Sequence, residues 1–269
     1  MSTLALKLTV TPLLILAASL AIRRWGEIVG GWFVGLPLTS APVCFFLALD
    51  QGAGFARTAS LGSLLGVASE AAFVLLYSIA ARRAAWPASV GAASAGFAAC
   101  GFLTASAAPT LWPAVATALT ALVLVLVLMP RLDPGRAALP RPPRWDIPAR
   151  MTVATALILG LTALAPHIGA RVSGLVATYP VFATVLAAFS HHRRGAAAAV
   201  QVLRGLLIGL FAFVGFFTVV TLTIEGYGVA FAFAAATPVA LATQGLSLWL
   251  MRGPKRPRPA APGRSNSPT

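Results

Sequence analysis

Gly35-Leu-Pro-Leu-Thr-Ser-Ala-Pro42 lies inside an otherwise apolar run from Ile28 to Leu49. Each proline lacks a backbone donor and crowds the carbonyl four residues before it, so a helix through this stretch must kink or unwind around 37–42. A hydrophobic segment of membrane-spanning length thus carries a break near its middle. The backbone groups freed there cannot face hydrocarbon, and must face protein or a wet cavity.

The surrounding sequence explains why hydrocarbon is the relevant solvent. The chain has 269 residues, 58% hydrophobic and 10% charged, with a mean hydropathy of +0.86. Soluble domains are about half apolar and a quarter charged. Apolar runs of roughly 18 residues or more recur, each long enough to cross about 30 Å of hydrocarbon as a helix. They lack the alternation of a membrane barrel strand, so the expected fold class is all-α, a polytopic membrane helical bundle. A net charge of +14 would suggest nucleic acid in a soluble protein. Here most basic residues fall in short loops and tails, where they set orientation in the bilayer, and no nucleic-acid partner is expected. Cys44 and Cys100 lie in apolar runs and read as small buried residues.

Breaks at charged, proline- and glycine-rich positions give nine expected spans near 4–22, 29–49, 58–81, 87–107, 111–129, 150–166, 172–190, 199–223 and 227–251. The first is read as a retained span and not a leader, because Arg23 and Arg24 follow the apolar stretch and outnumber Lys7 before it. With nine spans, sixteen of the twenty basic residues fall on one face, including Arg82, Arg83, Arg131, Arg150, Arg193, Arg194 and the tail. Lys7, Arg57 and Arg171 fall on the other, and Arg204 lies within span eight. This bias places the N-terminus outside and the C-terminus in the cytoplasm.

The chain also repeats itself. Gly62-Ser-Leu-Leu-Gly66 is echoed by Gly205-Leu-Leu-Ile-Gly209, and Pro42, after Thr39 and Ser40, by Pro180, after Thr178 and Tyr179. The spacing from proline to glycine pair is 20 residues in one copy and 25 in the other, with the excess in an expected loop holding His191, His192, Arg193 and Arg194. The expected organisation is a four-span repeat over 1–107, a lipid-facing connector span over 108–129 and a cytoplasmic linker over 130–149. A second, inverted repeat follows over 150–251, then a disordered basic tail over 252–269. The connector reverses the second copy, so the layout is 4+1+4.

The stretches "GLPLTSAP" with "FARTASLGSLLG", and "GLVATYP" with "VLRGLLIG", resemble the GlpM-like group of small, four-span bacterial inner-membrane proteins. The resemblance covers each half loosely, and the second copy has one proline where the first has two. It implies an architecture, a duplicated and fused relative in a bacterial inner membrane, more than an activity. The general design is similar to that of multidrug exporters and fluoride channels.

Paired interruptions in inverted repeats point to a transporter's substrate site near the midplane. Pro37, Thr39, Ser40, Pro42, Thr178, Tyr179 and Pro180 are the candidate substrate-binding residues; alternatively, the prolines merely kink packed helices. Half-helix N-termini there favour an anionic group. Glu70 is the most deeply placed acid, roughly 16–18 Å from either end of its span at 1.5 Å per residue. Such a group is costly and faces a partner or a polar path. Its reading is divided between proton coupling and a neutral structural acid, and its counterpart is Phe213. Arg204 could pair with Glu70 or bind substrate, although a snorkelling interfacial arginine is favoured. Gln201 and Gln244 fit interhelical hydrogen bonds, and Gly31, Gly35 and the other glycine pairs fit close helix packing. His167 and the His191–His192 pair read as solvated loop residues.

No nucleotide-binding loop, metal constellation or nucleophile with a positioned base is present, so neither an enzyme nor a cofactor is expected. The expected function is a secondary transporter or exporter of a small solute or ion, acting as monomer or homo-oligomer. A noncatalytic membrane partner of a larger complex and a passive ion channel are the alternatives.

Overall fold

A computed structural model of the chain describes residues 3–38, 40–104, 110–132, 143–164 and 178–251. All regular structure among these residues is helical. In chain order the helices are α1 (Thr3–Trp25), α2 (Glu27–Val34), α3 (Ser40–Gln51), α4 (Ala53–Ala80) and α5 (Trp86–Thr104). They continue with α6 (Leu111–Leu128), α7 (Asp146–Leu164), α8 (Val181–Arg194) and α9 (Ala196–Met251). Four are long and apolar enough to cross a membrane: α4, α5, α6 and the 55-residue stretch of α9. The last has a non-helical residue at Gly228, so it is two helices meeting at an elbow, close to where the expected spans eight and nine divide.

Four helix junctions are built the same way. Gly26, Gly52, Gly195 and Gly228 have φ of 95°, 89°, 84° and 81°, with extended ψ of 168° to 175°. Only glycine adopts this region readily, since a Cβ would clash. Each junction joins two helices through a single residue. This economy moves several expected boundaries. α4 begins at Ala53, so Arg57 lies inside a helix and not in a loop. His191, His192, Arg193 and Arg194 form the last turn of α8, not a loop. The linker ends earlier than expected, because α7 begins at Asp146.

The break in the opening stretch is real. α2 ends at Val34 and α3 begins at Ser40, with Pro42 in the first turn of α3, where its missing N–H has no intrahelical partner to lose. The Ala41 amide donates to the Pro37 carbonyl across the break.

Contacts at the helix ends fix the relative directions. At one end Arg23, closing α1, meets Asp146, opening α7, and Arg194, closing α8, meets Glu27, opening α2. Tyr77, near the end of α4, meets His191 at the same level, and Arg204, early in α9, meets Met129, just after α6. This is the basic end. At the opposite end Arg57 of α4 pairs with Glu225, just before the Gly228 elbow, at 3.3 Å. Hence α1 runs antiparallel to α7, and α4 to the first arm of α9. That outer pair has side chains 39% and 55% exposed. Glu225→Gln should therefore move stability by no more than about 1 kcal/mol, read as a nearly unchanged melting curve in detergent.

Packing is led by small residues where two backbones meet. Gly31 of α2 and Gly35, its C-cap, face Gly205 and Gly209 of α9, and a Cβ added at Gly35 would stand 2.6 Å from the Gly209 Cα. Above this crossing the Gln244 amide donates to the Trp32 carbonyl at 2.8 Å, and the Trp32 indole to Ser247 at 2.9 Å. Gln244 therefore makes the interhelical bond expected of it. One core surrounds α4, α6 and the first arm of α9, and a smaller one joins α1, α7 and α8. Hydroxyls along the helices, such as Ser60, Ser78, Thr218 and Thr221, donate to carbonyls four residues back. That satisfies them without water.

The outer surface is that of a membrane protein. Val127 and Leu103 are more than three-quarters exposed, a burden that a lipid-facing surface carries without penalty and an aqueous one does not. Trp25, Trp86, Trp112, Trp145 and Trp249 are exposed, each at or beside a helix end, while Trp32 alone is held inside. Exposed tryptophan at helix ends matches the level of lipid headgroups. α6 buries Leu111, Ala114, Ala118, Leu122 and Val125 against the bundle and leaves Val123, Leu124 and Val127 outward.

Candidate functional site

Gly66, Glu70, Phe73 and Tyr77 are spaced at i, i+4, i+7 and i+11 and so form one stripe along α4. The stripe faces the segment that opens and forms α8. A Cβ at Gly66 would lie 3.5 Å from Thr178. Phe73 meets Tyr179 edge to face at 5.8 Å between ring centres, and the Tyr77 hydroxyl lies 3.3 Å from His191 Nδ1. Glu70, half-buried, stands on this stripe between the Thr178 and Tyr179 contacts.

Tyr179 is the best-held of the expected site residues. Its ring is clasped between Phe73 and Phe97, the latter at 5.4 Å. Its hydroxyl is 2.8 Å from Ser94 Oγ on α5. Pro180 follows as the N-cap of α8, buried. Its carbonyl accepts both the amide and the hydroxyl of Thr184, at 2.9 Å each. Proline suits this place because the first helical turn needs no donor from it. The helix therefore starts inside the protein and runs toward the basic end.

The other break approaches from the opposite side. Leu36 and Leu38, flanking the buried Pro37, line a small apolar pocket with Leu14, Phe33, Val34 and Phe182, two residues beyond Pro180. The pocket has room for little more than a water molecule. Ser40 is half-buried, whereas Pro42 is exposed and turned away from this pocket's lining. Thr39 lies outside the described residues, as do His167, Arg171, residues 133–142 of the linker and the tail from 252.

Arg204 donates to the Met129 carbonyl at 3.5 Å, at the basic end. This contact lies at the level where a snorkelling arginine is expected. Phe213, expected to match Glu70 in the second half, is buried and packs against Phe217 with tilted rings 4.6 Å apart. Cys44 is buried with its sulfur 3.4 Å from Ser60 Oγ, and neither cysteine is in a disulfide. Among the described residues no group of three metal-binding side chains converges.

Sequence reasoning passed over Tyr77, Ser94, Phe97 and His191. Tyr77 was findable, because it lies seven residues past Glu70 on the same helix face. His191 was hidden by its loop reading. In the last turn of α8, beyond the apolar part of the segment, burial holds its imidazole below the usual value. A neutral ring with its hydrogen on Nε2 accepts the Tyr77 hydroxyl hydrogen at Nδ1, and the other neutral tautomer donates to the Tyr77 oxygen.

These features define a multi-pass helical membrane protein with a helix that begins inside it. No family model matches the chain, and neither curated proteins nor solved structures give a match.

Proposed function

We propose that the chain is a secondary transporter or exporter of a small solute, built as two inverted four-helix repeats around a connector helix. The observation that carries this reading is the internal start of α8 at Pro180, set against the Glu70 stripe and across a small pocket from the break at 35–39. Helix N-termini and unwound backbone inside a bundle suit a substrate carrying negative charge. The repeat reading is supported by the antiparallel run of α1 against α7 and of α4 against the first arm of α9. It is supported also by the matching one-residue elbows Gly52 and Gly195 that precede α4 and α9. A relationship to the GlpM-like proteins, and residence in a bacterial inner membrane, belong to the same proposal. The basic end then faces the cytoplasm with the C-terminus, and the N-terminus lies outside.

In this scheme Thr178, Tyr179 and Ser40 offer hydroxyls to the substrate, and Glu70 takes up and releases the coupling proton. One half rocks against the other, and the narrow apolar pocket is the contracted stage of that cycle. Reconstituted vesicles with an imposed pH gradient test this. Uptake of a small organic or inorganic anion should follow the gradient, and Glu70→Gln should abolish the gradient dependence while leaving the melting curve intact. Gradient-dependent flux surviving in Glu70→Gln would remove the coupling role. Flux indifferent to the gradient in the parent would turn the reading to a passive channel.

The tight packing around Tyr179 favours a second reading, a noncatalytic membrane partner with no substrate path. In that case accessibility labelling of Tyr179→Cys stays negative with the gradient in either direction.

A further inference from the structure

The basic end contains a pocket that transport does not explain. Ser19 and Arg23 of α1, Asp146 and Arg150 of α7, and Arg193 and Arg194 of α8 line it. Most of these arginines read from sequence as orientation charges, yet Arg150 is 6% exposed and Ser19 only 2%. Asp146 Oδ2 lies 3.2 Å from Arg150 Nε and 3.5 Å from Arg23. That leaves work undone, because Arg150 Nη1 and the Ser19 hydroxyl are buried without a partner. Unmet donors in such a place cost stability unless a water or an anion satisfies them.

The charges indicate its chemistry. Four guanidinium groups, Arg23, Arg150, Arg193 and Arg194, stand against two carboxylates, Asp146 and the Glu27 that pairs with Arg194. Two positive charges remain, in a site offering forked donors and a hydroxyl. Phe189 backs the Arg150 guanidinium at 5.3 Å and Trp145 lies under that of Arg193 at 5.6 Å, so both are held in place by rings. As it stands the pocket has room for about one water molecule, so Arg23, its most exposed wall, must swing outward to admit a ligand.

We infer that the pocket between the ends of α1, α7 and α8 binds a phosphate-type dianion, supplied either by free phosphate or by a phosphomonoester lipid headgroup. Arginine forks match the spacing of phosphate oxygens. The pocket opens beside the exposed Trp145, at the level of lipid headgroups, so both sources reach it. This inference does not depend on the transport reading.

The test uses the full-length protein in nanodiscs of phosphatidylcholine. Inorganic phosphate is titrated against sodium chloride of equal ionic strength, and melting temperature and binding heat are recorded. A parallel set of nanodiscs contains phosphatidic acid in place of added phosphate. Phosphate-specific stabilisation in the first arm identifies free phosphate, and stabilisation only in the second identifies the headgroup. Arg193→Gln and Ser19→Ala should each weaken the effective ligand about tenfold, while Arg83→Gln, at the same end but outside the lining, leaves it unchanged. Stabilisation in neither arm overturns the inference, as does binding that Arg193→Gln and Ser19→Ala leave intact while their ligand-free melting matches the parent.

Discussion

Gly205→Ala is expected to melt far below the parent in detergent, or to fail to accumulate as a single species, while Gly62→Ala behaves as the parent does. The two glycines hold corresponding places in the repeated motif, but their surroundings differ. A Cβ at Gly205 would run into the Ile28 carbonyl of α2, whereas one at Gly62 meets nothing within 4 Å. The obstacle is backbone, which cannot turn aside as a side chain can. Across the same crossing Gly31 is stopped by the Val202 carbonyl, so α2 and α9 must part along their whole contact. Overpacking of this kind costs about 3 kcal/mol or more, a large share of the 5–15 kcal/mol (roughly) that holds a typical fold. The damage should spread to the break at 35–39, since Gly35 closes α2 against Gly209. Equal melting of Gly205→Ala and Gly62→Ala would contradict the close crossing.

Asp146→Asn is expected to be the second most damaging change. The Asp146 side chain is 3% exposed and offers one carboxylate to two arginines. Its loss strands Arg150, itself 7% exposed at the side chain. Breaking a buried pair from one side costs about 3–5 kcal/mol, because the remaining charge stays out of water. The double change Asp146→Asn with Arg150→Met should recover most of that loss, since an apolar side chain carries no desolvation debt. Thermal melting of the three proteins checks both statements. A single mutant as stable as the parent, or a double mutant no better than the single, would show that the pair carries little.

Hydropathy and proline placement were enough to read the helical membrane class and the interruption after Gly35. The glycines at 31, 35, 205 and 209 were legible as contact points because small residues have few other uses between membrane helices. Other features depended on information a linear scan does not hold. A one-residue elbow leaves no polar gap, so the basic last turn of α8 passes for a loop, whereas the division between spans eight and nine falls close to the Gly228 kink. The prolines before Asp146 mask the start of α7, although an acid opening a helix with an arginine four residues on is a recognisable signal. Arg150 was counted as an orientation charge, and only the neighbouring α1 and α8 make it a buried one. The Tyr77–His191 contact spans 114 residues, and no local pattern announces it.

The elbows carry a mechanical consequence. Because Gly52, Gly195 and Gly228 each turn the chain within one residue, a tilt imposed on one helix passes to the next with no slack to absorb it. Movement in this bundle is then a set of coupled rotations of stiff rods, and loop rearrangement plays no part at those corners. Inserting two further glycines at Gly195 would leave each rod intact and disconnect α8 from α9.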